Sequence, residues 1–115
     1  MRANGVKVLA GTDQSGYLES KGSVPGRSLH EELGFLVDGG FGPVEALRAA
    51  TTGPAEFFGL AGSLGTVEAG KSADLVLLDG DPLQDIRSTI RIATVIRQGR
   101  LYDAAALTRL RNREP

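Results

Sequence analysis

The sequence predicts an α/β fold, and three observations carry that prediction. The short apolar run Val6-Lys7-Val8-Leu9-Ala10 is closed by Gly11, as a strand buried on both faces would be. Residues 28–60 then place apolar side chains at three- and four-residue spacing, the period of a helix with one buried face. After Gly62 the pattern changes to short strand-like runs divided by turn residues.

Thr12-Asp13 sits at the C-terminal end of the first strand. Residues 14–27, polar and carrying Gly16, Gly22, Pro25 and Gly26, read as a long loop. Loops of this length in a compact domain are commonly functional. The first helix is expected to begin at Ser28, because Ser28-Leu29-His30-Glu31 fits a capping box, in which hydroxyl and carboxylate satisfy free amides of the first turn. Leu29, Leu33, Leu36 and Val37 form its apolar face, and Asp38-Gly39-Gly40 stops it, glycine suiting the left-handed C-terminal position. A second helix starts near Pro43, whose missing N–H costs nothing in a first turn. Val44, Leu47 and Ala50 make its stripe, and Thr51-Thr52-Gly53 ends it. Pro54 opens a short third helix through Phe57 and Phe58 to Leu60.

The second half reads as a small antiparallel β unit. Residues 64–71 form a turn-rich connection, and residues 73–79 an apolar strand bounded by aspartates. Asp81-Pro82 signals a turn. Residues 90–98 are rich in β-branched side chains, with Ile90, Ile92, Thr94, Val95 and Ile96. Gly99-Arg100 turns the chain into Leu101-Tyr102, and a last helix covers residues 103–111 with Asp103 as its N-cap. The sequence has no internal repeat.

A chain of 115 residues has the size of one small domain. Its hydrophobic fraction of 41% and charged fraction of 23% are those of a globular protein and argue against disorder. The 16 glycines are about twice the usual ~7%, so the chain turns often. A net charge of −1 provides no basic face for nucleic acid. No apolar run approaches the roughly 20 residues that span a bilayer, and Met1-Arg2-Ala3-Asn4-Gly5 lacks a secretory apolar core. Without cysteine, disulfides and thiolate metal sites are excluded. A cytoplasmic protein with neither nucleic-acid nor membrane partners is expected.

Asp13 is the first candidate functional residue. A carboxylate at a strand end can ligate a metal or take a proton, and the competing reading is a turn aspartate capping the next segment. His30 is either a substrate contact or a histidine packed at a helix start, where the dipole disfavours its charged form. Residues 11–16 match neither the Walker pattern nor a dinucleotide fingerprint. Glu31 and Glu32 are helix neighbours that point about 100° apart, and capping explains Glu31. The basic residues of 109–113 belong to a solvated helix end, and Lys71 to a turn.

Three blocks, taken together and in order, resemble one known family. They are Val8-Leu9-Ala10-Gly11-Thr12-Asp13; the stretch from Ser28-Leu29-His30-Glu31-Glu32-Leu33 through Pro43-Val44-Glu45-Ala46-Leu47-Arg48-Ala49-Ala50-Thr51 to Pro54-Ala55; and Gly65-Thr66-Val67-Glu68-Ala69-Gly70-Lys71-Ser72-Ala73-Asp74-Leu75-Val76-Leu77-Leu78-Asp79. They cover nearly all of the chain and resemble the last third of the amidohydrolase superfamily, in its imidazolonepropionase-like and prolidase-like branch. The resemblance implies the C-terminal fragment of a metal-dependent (β/α)8 barrel hydrolase. On that reading residues 1–62 hold the last barrel strand, site loop and helices. Residues 63–102 form part of a small composite β-sandwich domain, and residues 103–115 a C-terminal helix and tail.

The same resemblance implies hydrolysis of amide or cyclic amide C–N bonds by water activated on one or two divalent metals, zinc foremost. The site would lie at the C-terminal ends of the barrel strands. Asp13 matches the family's aspartate after the last strand, which holds the metal or its water and shuttles the proton. The family's His-x-His pair, its bridging Lys or Glu and its later His ligands have no counterpart, since His30 is the one histidine and is not at a ligand position. A catalytic zinc takes three protein ligands, so the isolated chain is expected to hold no metal and to be inactive. Missing groups and missing strand partners would come from an N-terminal portion or from self-association, and the substrate would be a small amide or dipeptide-like molecule. Two other readings stand beside this one. The chain could be a truncated, non-catalytic α/β module for oligomerisation or partner binding, or a small-molecule binder using the loop at 14–27.

Overall fold

The computed structural model describes residues 5–13 and 26–112. The expected loop, up to Pro25, therefore lies outside the described residues. The first helix, α1 (Arg27–Asp38), begins one residue earlier than expected, with Gly26 as N-cap and no side-chain cap. The Ser28 capping box does not form. Ser28 lies inside the first turn, and an N-cap hydroxyl works only from the flanking, non-helical position. Glu31 Oε1 instead accepts from Arg27 Nε at 3.0 Å on the exposed face. The C-terminal end is as expected: Gly39 N–H bonds the Phe35 carbonyl, and Gly40 follows at φ 96°, where glycine avoids the Cβ clash.

Helix α2 (Pro43–Ala50) has Pro43 in its first turn, and Glu45 Oε2 accepts from Gly42 N–H at 2.7 Å. Its rotation differs from the expected stripe. Ala46 and Ala49 are buried, Leu47 and Ala50 half-buried, and Val44 is exposed. Ala46 lies about 200° around the helix from Val44, so the turn that presents Ala46 to the core carries Val44 outward. Thr51 then caps both α2 and the next helix, α3 (Thr52–Phe57). That helix starts two residues before Pro54 and stops short of the expected Leu60.

The β unit is a three-stranded antiparallel sheet in the order β1 (Leu75–Leu78), β2 (Ile92–Arg97), β3 (Arg100–Tyr102). Gln98 and Gly99 close the β2–β3 hairpin at φ 50° and 77°, the double positive φ that matches strand twist. Asp74 Oδ1 accepts from Gln98 N–H at 2.8 Å and ties this turn to the start of β1. Helix α4 (Ala104–Arg111) comes next, with the Asp103 carboxylate accepting from Ala106 N–H at 2.7 Å as the sequence predicts.

Two elements depart from expectation. Residues 86–90, partly assigned to a strand, form a 3-10 turn, Ile86–Ile90. Ile86 is 2% exposed and meets Leu33 and Ala46 in the core cluster, and this anchor diverts the chain before β2 can begin. The segment Val6–Ala10 is not a strand. It runs over α2 and α3, with Ala10 N–H bonded to the Ala49 carbonyl at 2.8 Å and Lys7 paired with Glu56 at 3.0 Å. A strand needs a ladder partner, and none of the three described strands lies beside it.

Candidate functional site

Asp13 ends this extended segment, exposed and at φ 45°. That left-handed conformation is uncommon for a residue with a Cβ, and aspartate is among the few that tolerate it.

His30 lies on the first turns of α1, half-buried. Its Nδ1 is 3.1 Å from Thr89 Oγ1, and Thr89 Oγ1 in turn donates to the Ile86 carbonyl at 2.9 Å. A hydroxyl has one proton, so Thr89 must accept from Nδ1–H. The neutral ring then carries its lone pair on Nε2. Burial lowers the His30 pKa from its ordinary value, favouring this neutral form. A second clamp holds the same elements: Arg87 donates to both oxygens of Asp38 at 2.9 and 2.8 Å, and this bond raises the Arg87 pKa further. Neither Thr89 nor the Arg87–Asp38 pair was visible in the sequence. Their partners lie 59 and 49 residues away, and no local spacing marks them.

Beside His30 opens an apolar cleft of about 670 Å³, walled by Leu29, Leu33 and Leu47 on one side and by all four residues of β1 on the other. The structure does not join the two predicted site residues: the His30 ring bonds Thr89, and Asp13 is not part of the cleft lining. Among the described residues no group of three or more His, Cys, Asp or Glu side chains could hold a metal ion. Asp13 offers a single carboxylate, so these residues do not by themselves fit a divalent cation. No described helix is long and apolar enough to cross a membrane.

An extended segment ending in a carboxylate, three packed helices and a small antiparallel sheet make an α/β arrangement, and the chain belongs to the amidohydrolase family, whose model matches residues 1–102. It is 33% identical over 105 residues to an imidazolonepropionase of Shouchella clausii, covering 84% of this chain and 22% of that protein. In three dimensions it is similar to molinate hydrolase, with a TM-score of 0.78 and 28% identity, over 91% of this chain and 25% of the other. It is also similar to phenylurea hydrolase B, at 34% identity and a TM-score of 0.76, over 91% of this chain and 26% of the other. A prolidase-like protein of Bifidobacterium longum matches at 38% identity and a TM-score of 0.76, over 87% and 24%. The chain spans about a quarter of the length of the relatives it matches.

Proposed function

We propose that this chain is the C-terminal segment of a metal-dependent amidohydrolase that cleaves C–N bonds in small amides, cyclic amides or dipeptide-like molecules. The observation that carries the reading is Asp13, an exposed carboxylate at positive φ within the block that resembles the family's terminal site aspartate. In this reading residues 1–62 are the last strand and helices of a barrel, residues 63–102 are part of a β-sandwich, and residues 103–115 are a helical tail. Val6–Ala10 becomes a true strand once barrel neighbours pair with it. Asp13 accepts the proton of the attacking water, a general-base task worth about 10²–10⁴ in rate. In the complete enzyme Asp13 would be this chain's contribution to holding a divalent metal, zinc by preference, which would supply the activated water. His30 serves the substrate, its Nε2 accepting a hydrogen bond from an amide N–H. The chain alone is inactive, since one carboxylate and one imidazole do not make a metal cage.

The test is a chimera. Residues 1–115 replace the matching segment of the Shouchella clausii imidazolonepropionase, and turnover of imidazolonepropionate is measured. Activity is expected in the chimera, and Asp13→Asn should lower kcat by at least about 100-fold with little change in folding. An Asp13→Asn chimera that turns over as fast as its parent would overturn the assignment.

A further inference from the structure

Two Asp-Gly pairs stand among the described residues, Asp38-Gly39 and Asp79-Gly80. Aspartate before glycine can close on the following peptide, because glycine has no Cβ to hinder its nitrogen on the way to the carboxyl carbon. The glycine nitrogen bonds Cγ of the neutral carboxyl. The amide proton and the carboxyl hydroxyl leave as one water, and a five-membered imide remains. Water then reopens the ring. Breaking the Cγ–N bond restores aspartate. Breaking the original backbone C–N bond leaves the chain running through Cβ and Cγ, as isoaspartate with a free α-carboxylate. The sequence consumes one water and returns one, and needs no other reactant.

Both aspartates are exposed, so access does not separate the pairs. Hydrogen bonding does. Ring closure needs an unheld carboxyl and a peptide free to rotate between the two residues. At the end of α1 the Gly39 N–H is held by the Phe35 carbonyl at 2.9 Å, and the Asp38 carboxylate by Arg87 at 2.9 and 2.8 Å. Both holds must open before the Gly39 nitrogen reaches Cγ. Asp79-Gly80 lies in the bend after β1. Asp79 N–H donates to the Arg91 carbonyl at 2.8 Å, which fixes the residue on its N-terminal side alone. Among the described residues the Asp79 carbonyl, the Asp79 carboxylate and the Gly80 N–H have no hydrogen-bond or ion-pair partner.

Packing also requires the glycine. A Cβ on residue 80 would fall 2.9 Å from Arg91 Cζ and 3.0 Å from Ser88 Cβ. A side chain there would have to displace the Arg91 guanidinium and press on Ser88, which is buried. We propose that Asp79-Gly80 is a site of spontaneous isoaspartate formation, and that the fold shields Asp38-Gly39 from the same reaction. The added backbone carbon falls between β1 and the turn whose Ile86 seats in the core. The new α-carboxylate is the group that an isoaspartate-specific carboxyl methyltransferase would take as substrate. This stands on hydrogen bonds and packing and not on the hydrolytic reading, so either can fail alone.

The full chain is aged in warm, mildly acidic buffer, folded and in parallel unfolded in urea. It is then digested, and the peptides are mapped by chromatography with electron-transfer fragmentation, which locates isoaspartate. Isomerisation leaves the peptide mass unchanged. Asn4-Gly5 releases ammonia in the same closure and so shifts its mass, which keeps its product apart. In the folded chain isoaspartate is expected at residue 79 at least about tenfold faster than at residue 38. That factor corresponds to about 1.4 kcal/mol, the size of one net hydrogen bond together with a surface ion pair. In urea the two rates should converge, because both holds on Asp38-Gly39 are then lost. Equal rates in the folded chain, an Asp79 that stays unmodified, or a rate difference that persists in urea would each overturn the proposal.

Discussion

His30 shows how one contact sets which end of a side chain donates. Thr89 commits its proton to the Ile86 carbonyl, which leaves His30 as donor at Nδ1 and acceptor at Nε2. Burial holds the folded-state pKa below the ordinary value of 6.5. Between the folded and unfolded pKa values the unfolded chain binds more protons, so stability rises with pH across that window. The His30 contribution is fully present above about 6.5 and is lost as pH falls toward the folded value. Urea midpoints measured from pH 7.5 downward should fall through this range, and His30→Gln should flatten that part of the profile. A profile unchanged by the substitution would refute the assignment. Asp13 could be singled out as a candidate from the sequence, because its place after an apolar run is a local fact. The Thr89 contact was not, because it joins residues 59 apart.

At the scale of elements, the 3-10 turn Ile86–Ile90 carries the join between helices and sheet. Ile86 is the largest fully buried side chain among the described residues, and it packs with Leu33 of α1 and Ala46 of α2. Ile86→Ala should therefore cost about 2–5 kcal/mol, read as a lowered urea midpoint, whereas the exposed neighbour Ile90 should tolerate alanine far better. Equal costs at the two positions would mean that the core is not where the structure puts it. Most elements were readable from their own residues. Pro43, Gly39-Gly40 and Asp103 act on their immediate backbone, so their spacing alone locates helix ends, and Gly99 marks the hairpin, although its turn falls on Gln98-Gly99 and not on the expected Gly99-Arg100. The 3-10 turn and the rotation of α2 were not readable, since both are set by what Ile86 and Ala46 meet across the core. The Ser28 cap failed for a related reason: several residues near Gly26 could start the helix, and local propensity did not choose among them.

At the scale of the whole chain, the described residues leave much apolar surface uncovered. Its Cα radius of gyration is 15.2 Å, against roughly 13 Å for a compact domain of about 100 residues. Phe35, Phe57 and Phe58 are 68%, 72% and 69% exposed, and the Phe57 and Phe58 rings meet edge to face at 5.1 Å. Large exposed apolar patches mark interaction surfaces. The double variant Phe57→Ser, Phe58→Ser should thus change stability by no more than about 0.5 kcal/mol while reducing binding of a hydrophobic dye. A large loss of stability would show that the rings pack in the folded chain. An open surface of this kind suits a chain that matches a quarter of each relative's length.

By itself the sequence determined the α/β class, the order of helices and strands from the first helix onward, most element ends and the family, because each depends on residues within a few positions of one another. Tertiary structure alone decided that Val6–Ala10 has no ladder partner among the described residues, that α2 turns its alanines inward, that His30 is locked against Thr89 and that β1 ends the described sheet. Those are matters of which distant surfaces meet, and a hydrogen bond or a buried face needs its partner in place before it exists.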